Sequence, residues 1–116
     1  RIINVSSISA VDGDAKIAYA ASKSYLNSYT KCMSKMYSTK NIIFSGVMPG
    51  PLLTPGKFWF KQMKSNPNKV KKFIQQHYSI KRFGKANEIC PFILLLASKH
   101  ASYASGALMN LDGGKY

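Results

Sequence analysis

A chain of 116 residues, 46% of them hydrophobic, is long enough for one domain with a buried core and too short for two. Its charge is one-sided, because 17 lysines and arginines against four acidic residues give a formal net charge of +13 at neutral pH. The longest apolar run, residues 92–97, is far shorter than the roughly 18 residues that span a bilayer, so no membrane partner is expected.

The first predicted elements are a strand and a long helix. Residues 1–6, RIINVS, are mostly apolar and partly β-branched, which is typical of a buried parallel strand. Asp12, Gly13 and Asp14 follow as turn residues. An amphipathic helix is predicted from about residue 19 to 39. Its apolar stripe, expected in the core, recurs every three or four residues: Leu26, Tyr29, Met33 and Met36.

A second strand is predicted at residues 42–47, ended by Pro49 and Gly50. Residues 49–56 include three prolines and two glycines and are predicted to be irregular. Residues 57–84 are basic and aromatic, with short helical patterns that Asn66 and Pro67 interrupt.

The last predicted elements are a helix and a strand. The helix covers about residues 87–98, with Asn87 as its N-cap and Pro91 near its first turn, where proline is tolerated. The strand covers residues 107–111. Strands that alternate with helices predict an α/β fold with a parallel sheet. Three strands leave sheet edges uncovered, so we expect the chain to be part of a larger doubly wound sheet.

Two cysteines and two histidines are the candidate metal ligands. The spacing of Cys32 and Cys90 fits no zinc motif, and one disulfide would be a thin framework for a domain of this size. Reduced thiols in a cytoplasmic protein are the simpler interpretation. His77 and His100 stand apart with no carboxylate at ligand spacing, so no metal site is predicted.

The stretch YAASK places Tyr19 and Lys23 one turn apart on one face of the predicted helix. An ammonium near a phenol favours the phenolate, which suits the phenol to acid–base chemistry. Ser7 follows the first strand, at the carboxyl end, where ligands bind in open α/β sheets. These groups suit carbonyl reduction or alcohol oxidation with hydride from a cofactor. Taken alone, Tyr19 and Lys23 are also an ordinary helix pair.

Five motifs follow one another along the chain: RIINVSS, YAASK, VMPGPLLT, RFGKANEI and GALMNLDGG. In this order the chain resembles, over nearly all its length, the C-terminal half of the classical short-chain dehydrogenase/reductase family. It looks most like the 3-oxoacyl-carrier-protein reductases. The resemblance implies the C-terminal part of a Rossmann-type doubly wound parallel sheet with flanking helices. It also implies an oxidoreductase that uses NAD or NADP.

The resemblance further implies a catalytic group. Tyr19 would be the general acid in reduction and the base in oxidation. Lys23 would favour the phenolate of Tyr19 and hold the hydroxyls of the nicotinamide ribose. Ser7 would orient the substrate carbonyl, with the neighbouring Ser6 as a rival for that role.

A cofactor wall and a substrate lid are implied further along the chain. Pro49 and Gly50 would shape the wall beside the nicotinamide, while the Leu52 backbone and Thr54 would hold its carboxamide. A mobile lid would cover about residues 55–80. The aromatic run in that lid would either line an apolar pocket or pack the lid down: Phe58, Trp59 and Phe60.

The glycine-rich turn of this family, and the residue that selects between NAD and NADP, do not occur in residues 1–116. The chain is therefore expected to be a C-terminal catalytic half, residues 1–116, that does not turn over alone. The substrate stays open between a 3-oxoacyl thioester, a sugar or sugar nucleotide, and another small ketone. The family also implies a homodimer or homotetramer, with the long helix and the last strand at interfaces.

Other functions stay open beside this one. The net charge, with Lys69, Lys71 and Lys72, would suit an acidic carrier protein, a phosphorylated substrate or, in a different class of protein, a nucleic acid. Nucleic-acid binding is disfavoured, because Arg1 and Arg82 are the only arginines and no arginine-rich recognition helix occurs. A catalytically silent scaffold is the remaining alternative, and the intact serine, tyrosine and lysine argue against it.

Overall fold

Three parallel strands form the centre of the molecule. The computed structural model describes residues 1–115, and Tyr116, the last residue of the predicted domain 1–116, lies outside the described part. The strands are β1 (Ile2–Val5), β2 (Phe44–Pro49) and β3 (Leu108–Leu111). They pair in the order β1-β2-β3, and both pairings are parallel. The predicted α/β fold with a parallel sheet is confirmed.

Five α-helices connect or follow the strands in the described part of the chain. They are α1 (Ser9–Asp12), α2 (Ile17–Tyr37), α3 (Phe58–Ser65), α4 (Pro67–His77) and α5 (Ala86–Ala97), with short 3-10 turns at Ser38–Lys40 and Lys99–Ala101. The sequence did not predict α1, because four residues are too few to show a helical period. No helix within residues 1–115 is long and apolar enough to cross a bilayer.

The central strand β2 is buried along its whole length. Its Phe44 packs against Tyr29 and Tyr37 of α2, with ring centroids 6.3 and 6.0 Å apart. Its Val47 belongs to the core cluster that includes Ile89 of α5. Because side chains alternate between the two faces of a strand, α2 and α5 cover opposite faces of the sheet.

The fully buried face of α2 is polar, and the apolar stripe predicted for the core is only partly buried, with Leu26 and Met33 half-buried. The buried residues of α2 are Asn27, Thr30 and Ser34. Tyr29 and Met36 of the predicted stripe are exposed, Met36 by 63%. Small side chains at the buried positions let the helix backbone approach the strands closely, and the larger residues lie at its flank.

Local hydrogen bonds make this polar face compatible with burial. Thr30 Oγ1 donates to the carbonyl of Leu26 (2.7 Å) and accepts from Nδ2 of Asn4 on β1 (2.9 Å). Ser34 Oγ donates to the carbonyl of Lys31 (2.8 Å). The helix therefore satisfies most of its buried hydroxyl groups without help from water.

Strand boundaries and strand burial differ from the predictions in two places. β2 includes Pro49 rather than ending before it, because the Pro49 carbonyl still accepts a hydrogen bond, from the N–H of Ile8 (3.0 Å). β1 is less buried than predicted, with Ile2 and Val5 both exposed. Like β3, it is an edge strand of the described sheet, so one of its sides has no neighbouring strand within residues 1–115.

The start of α5 also differs from the prediction. Lys85, not Asn87, is the N-cap residue, and Pro91 lies inside the helix rather than in its first turn. The N–H of Lys85 donates to Oε2 of Glu88 (2.8 Å), so the carboxylate three residues on satisfies the helix start.

Candidate active site

Ser7 lies just beyond the carboxyl end of β1, where the chain leaves the sheet. The N–H of the next residue, Ile8, donates to the Pro49 carbonyl (3.0 Å), which anchors the turn to β2. Ser7 is 8% exposed, and its Oγ accepts from the N–H of Ser9 (3.2 Å). Since the hydroxyl is the acceptor in that bond, its own proton stays available to donate to a ligand.

The neighbouring Ser6 has different surroundings. Its Oγ donates to the carbonyl of Lys23 on α2 (3.2 Å), and its side chain is buried. Ser7 lines a large cleft, whereas Ser6 is not among the described residues that line it. The structure thus places the two serines in separate environments.

Tyr19 and Lys23 lie one turn apart on α2. Nζ of Lys23 is 5.7 Å from the centroid of the Tyr19 ring and donates to the carbonyl of Val5 (2.9 Å). Val5 is the last residue of β1, so this bond ties α2 to the strand end that presents Ser7. Tyr19 is 47% exposed, which leaves its ring accessible from the cleft. The three predicted catalytic residues therefore meet at the carboxyl end of β1.

The segment after β2 crosses closely over the end of β3. The N–H of Gly50 donates to the carbonyl of Leu111 (3.0 Å). A Cβ atom on Gly50 would lie 2.8 Å from the Cα of Asp112, so any side chain there would push the two segments apart. Gly50 lines the cleft, whereas Pro49 is buried at the end of β2, behind the wall.

Leu52 forms an isolated parallel bridge with Gly84. The bridge uses the N–H of Leu53 to the Gly84 carbonyl (2.8 Å) and the N–H of Gly84 to the Pro51 carbonyl (3.1 Å). Backbone groups alternate in direction along an extended segment, so the N–H of Leu52 points away from Gly84. Leu52 lines the cleft, while Thr54, whose N–H donates to the Leu52 carbonyl (3.0 Å), lies outside the described lining residues.

A cleft of about 1020 Å³ joins these parts. Ser7, Tyr19, Gly50 and Leu52 line one side of it, and residues of α3 and α4 line the other. The volume is at the upper end of small-molecule pockets, which measure roughly 300–1,000 Å³. A ligand of that size can lie with one end against Ser7 and Tyr19.

The side formed by α3 and α4 is aromatic. Trp59 stacks on Phe73 with centroids 5.0 Å apart and lies 4.8 Å from Phe83, so it is part of a packed cluster. Phe58 is exposed, and both Phe58 and Trp59 line the cleft. Phe60 instead lies under the ammonium of Lys64, 4.9 Å from its ring centroid. The aromatic run therefore serves both predicted purposes, lining the cleft and packing the segment.

The cleft also has a polar wall, called the far wall below, that was not predicted from the sequence: Asp12, Asp14, His77 and Lys115. Nζ of Lys115 forms ion pairs with the carboxylates of Asp12 and Asp14, at 2.7 Å in the second case. The sequence indicates only a turn at Asp12 and Asp14. No sequence pattern connects them with Lys115, which lies 103 and 101 residues further along the chain. His77, to which no role was assigned, lies with its ring 4.6 Å from that of Phe73.

Ionisation on this wall follows from its contacts. The hydrogen bond from Lys115 holds the pKa of Asp14 below its ordinary value of 3.8. Burial raises the pKa of Tyr78, another residue of the wall, above 10.0. At neutral pH the wall therefore presents a charged carboxylate beside a neutral phenol.

The donors in the cleft, and Lys23 beside it, have the chemistry to hold a nicotinamide nucleoside. The ammonium of Lys23 and the phenol of Tyr19 suit ribose hydroxyls, and the outward N–H of Leu52 suits a carboxamide oxygen. Pro51 and Ile8 offer apolar surface to a ring. Residues 1–115 contain no group of three or more His, Cys, Asp or Glu side chains arranged to hold a metal ion.

Comparisons with known proteins identify the family of the chain. The family model described as enoyl-(acyl carrier protein) reductase matches residues 1–115. A 3-oxoacyl-(acyl-carrier-protein) reductase of Thermotoga maritima is 34% identical over 114 residues, covering 97% of this chain and 44% of the relative. Sorbitol-6-phosphate 2-dehydrogenase of Klebsiella pneumoniae is 34% identical over 123 residues, covering 98% of this chain and 46% of the relative. The chain thus spans less than half the length of these relatives.

Solved structures of two enzymes also superpose on this chain. L-sorbose reductase from Gluconobacter frateurii, complexed with NADPH and L-sorbose, superposes with a TM-score of 0.85 at 30% identity, over 97% of this chain and 46% of that one. 4-Hydroxyisoleucine dehydrogenase complexed with NADH superposes with a TM-score of 0.84 at 28% identity, over 97% and 45%. With its parallel sheet and flanking helices, the chain belongs to the short-chain dehydrogenase/reductase family.

Proposed function

We propose that the complete protein is an NAD(P)-dependent oxidoreductase that transfers a hydride between a nicotinamide cofactor and a carbonyl or secondary-alcohol substrate. The observation that carries this proposal is the meeting of Ser7, Tyr19 and Lys23 at the carboxyl end of β1, beside one cleft. Two structural neighbours are complexed with NADH or NADPH, which supports the cofactor class. NAD and NADP both stay within the proposal.

The three side chains have distinct roles in this proposal. The cofactor, when bound, supplies or accepts the hydride. In reduction the phenol of Tyr19 gives its proton to the carbonyl oxygen, and in oxidation the phenolate takes it back. The hydroxyl of Ser7 donates a hydrogen bond to the same oxygen and so orients it. The ammonium of Lys23 stabilises the negative charge left on Tyr19 and holds the ribose.

The segment after β2 forms the proposed cofactor wall. Pro49 supports the wall from behind, and Gly50 allows the backbone to pass close to the end of β3. The N–H of Leu52 is the proposed donor to the carboxamide. A role for the Thr54 side chain requires a shift of the segment after Leu52, since Thr54 is not on the described wall.

The proposed substrate is a carbonyl compound with an apolar part. Phe58, Trp59 and Ile8 give the cleft an apolar stretch beyond the catalytic group. Relatives include 3-oxoacyl-(acyl-carrier-protein) reductase of Thermotoga maritima and L-xylulose reductase of Caenorhabditis elegans. A 3-oxoacyl thioester, a sugar and another small ketone are therefore the substrate classes to test, and the aromatic wall favours the acyl chain.

An acidic carrier protein is the proposed partner if the substrate is an acyl thioester. The two helices that contribute aromatic residues to the cleft, α3 and α4, carry or adjoin six exposed lysines: Lys57, Lys61, Lys64, Lys69, Lys71 and Lys72. Such a surface attracts an acidic partner and makes its association sensitive to salt. A general polyanion-binding module would share the salt sensitivity but would not need the cleft.

The proposal extends to a homo-oligomer in the cytoplasm. Large apolar side chains are exposed on α2 and α5, among them Tyr25, Met36 and Leu94, and a second copy would cover such surfaces. Cys32 and Cys90 are unpaired and exposed, which suits a reducing compartment.

The decisive variant is Tyr19→Phe in the complete protein, assayed with NADH and NADPH over a panel of carbonyl substrates. Loss of the general acid should lower turnover by about 10²- to 10⁴-fold while cofactor binding persists. Tyr25→Phe is the matched control, because Tyr25 lies on the same helix and is exposed away from the cleft lining. Full activity of the Tyr19 variant would reject its role. A wild-type protein that binds the cofactor but reduces no substrate would favour the silent scaffold.

A further inference from the structure

Three segments that are distant in sequence meet at the far wall of the cleft. They are the connection from α1 to α2, the end of α4, and the turn that follows β3. The end of α4 is joined to the turn by backbone bonds: the N–H of Ser79 donates to the Gly114 carbonyl (3.0 Å), and that of Ile80 to the Gly113 carbonyl (3.1 Å). The backbone at the end of the predicted lid, residues 79–80, is thus bonded to the turn that precedes Lys115.

Lys115 joins the turn after β3 to the connection from α1 to α2. Its Nζ reaches across to the carboxylates of Asp12 and Asp14, which lie between α1 and α2. We use the term acid–lysine latch for these three residues. The side chain of Lys115 is 9% exposed, so its position is fixed by packing, whereas that of Asp14 is 62% exposed.

The latch lies close to the catalytic group in sequence and in space. Asp12 Oδ1 also accepts from the N–H of Asp14 (2.9 Å), which fixes the loop that leads into α2. Tyr19 lies in the first turn of that helix. All three latch residues line the same cleft as Ser7 and Tyr19.

The latch is charged at neutral pH. Burial alone would lower the pKa of Lys115, but the hydrogen bonds to Asp12 and Asp14 outweigh it, so the pKa is raised above 10.5. The bond from Lys115 lowers the pKa of Asp14, and the nearby His77 acts in the same direction. Separation of the segments would break both of these ion pairs, so the contacts favour the closed arrangement.

We propose that Lys115 is a positioning residue that holds the segment of residues 55–80 closed over the substrate cleft. This inference rests on the proposed oxidoreductase function, because the cleft it closes is the one beside Ser7 and Tyr19. The latch touches none of the catalytic hydroxyls, so its loss weakens substrate binding and leaves the proton-transfer step intact. Closure by such a contact also excludes water from the cleft.

The test uses Lys115→Met in the complete protein, with two independent readouts. The first is amide hydrogen exchange of residues 67–80, which needs no activity. Ser79 and Ile80 report directly, since their N–H groups bond to the turn after β3. Exchange there should become at least about tenfold faster, as expected when a local opening loses a stabilising contact. The second readout is steady-state kinetics, in which KM for the substrate should rise at least about fivefold with kcat within about twofold.

Three further variants serve as controls. Lys115→Arg keeps the ion pairs and should restore most of the wild-type behaviour. Asp14→Asn weakens the latch at an exposed side chain and keeps the test valid if Lys115→Met fails to fold. Lys99→Met removes an equally cationic side chain from the exposed 3-10 turn after α5 and should change neither readout.

The outcomes separate this inference from the proposed function. Unchanged exchange in Lys115→Met and Asp14→Asn overturns the latch, whether or not the protein is active. A fall in kcat at constant KM also overturns it, because Lys115 would then act on the chemical step. Faster exchange in a protein with no oxidoreductase activity supports the latch and rejects the proposed function alone.

Discussion

Two adjacent serines follow β1, and the surroundings of their hydroxyls distinguish them. Ser6 Oγ donates to the Lys23 carbonyl and is enclosed between β1 and α2. Ser7 lies on the cleft wall with its own proton free to donate. The choice of Ser7 from the sequence depended on the alignment of a motif, because two serines in succession look alike in composition and in propensity.

Replacing each serine by alanine should therefore give different results. Ser7→Ala should lower kcat by about 10²- to 10³-fold, the usual effect of removing one donor to a developing oxyanion. Ser6→Ala removes a structural hydrogen bond and should cost about 1 kcal/mol of stability with little change in kcat. Turnover and thermal melting of both variants of the complete protein check this. An equal or larger loss of kcat in Ser6→Ala would contradict the assignment.

The start of α5 shows how one carboxylate organises an element. Glu88 accepts from the N–H of Lys85 and forms a two-pronged ion pair with Arg82, at 2.8 and 2.6 Å. The hydrogen bonds from Arg82 and from the Lys85 backbone lower the pKa of Glu88 from 4.5 to about 2. The ionised carboxylate thus caps the helix and fixes the segment before it.

This pKa predicts the pH at which the contact contributes to stability. A carboxylate with a lowered folded-state pKa contributes stability that is present above its unfolded value and is lost as the pH falls through its folded value. Wild type should therefore be more stable than Glu88→Gln at neutral pH. The difference should shrink as the pH falls from 4.5 to about 2. Denaturation midpoints of both proteins across that range measure it, and a difference independent of pH would refute the predicted linkage.

Helix α2 shows where hydrophobic periodicity is misleading. The pattern Leu26, Tyr29, Met33 and Met36 predicted the helix itself, and the helix is present. The buried face is instead made of small polar side chains around Thr30, whose hydroxyls bond to carbonyls one turn back. Periodicity identifies an apolar side of a helix, but it does not say whether a sheet or another surface meets that side.

At the scale of the whole molecule, local patterns predicted the architecture and long-range contacts were not predicted. Alternating strands and helices predicted the parallel sheet. The catalytic group of Ser7, Tyr19 and Lys23 was implied by the resemblance to a family, because Tyr19 and Lys23 taken alone are also an ordinary helix pair. The far wall of the cleft depends on Lys115 meeting Asp12 and Asp14. Such a contact follows from the path of the whole chain, and a single sequence carries no signal for it.

The central claim is that Ser7 and Tyr19 bind one and the same carbonyl oxygen. The most direct test is a crystal structure of the complete protein with its nicotinamide cofactor and a bound substrate or unreactive analogue. We predict that Ser7 Oγ and Tyr19 Oη both lie about 2.6–3.2 Å from the substrate oxygen, with Lys23 Nζ on the ribose. A substrate oxygen that contacts neither hydroxyl would contradict the claim.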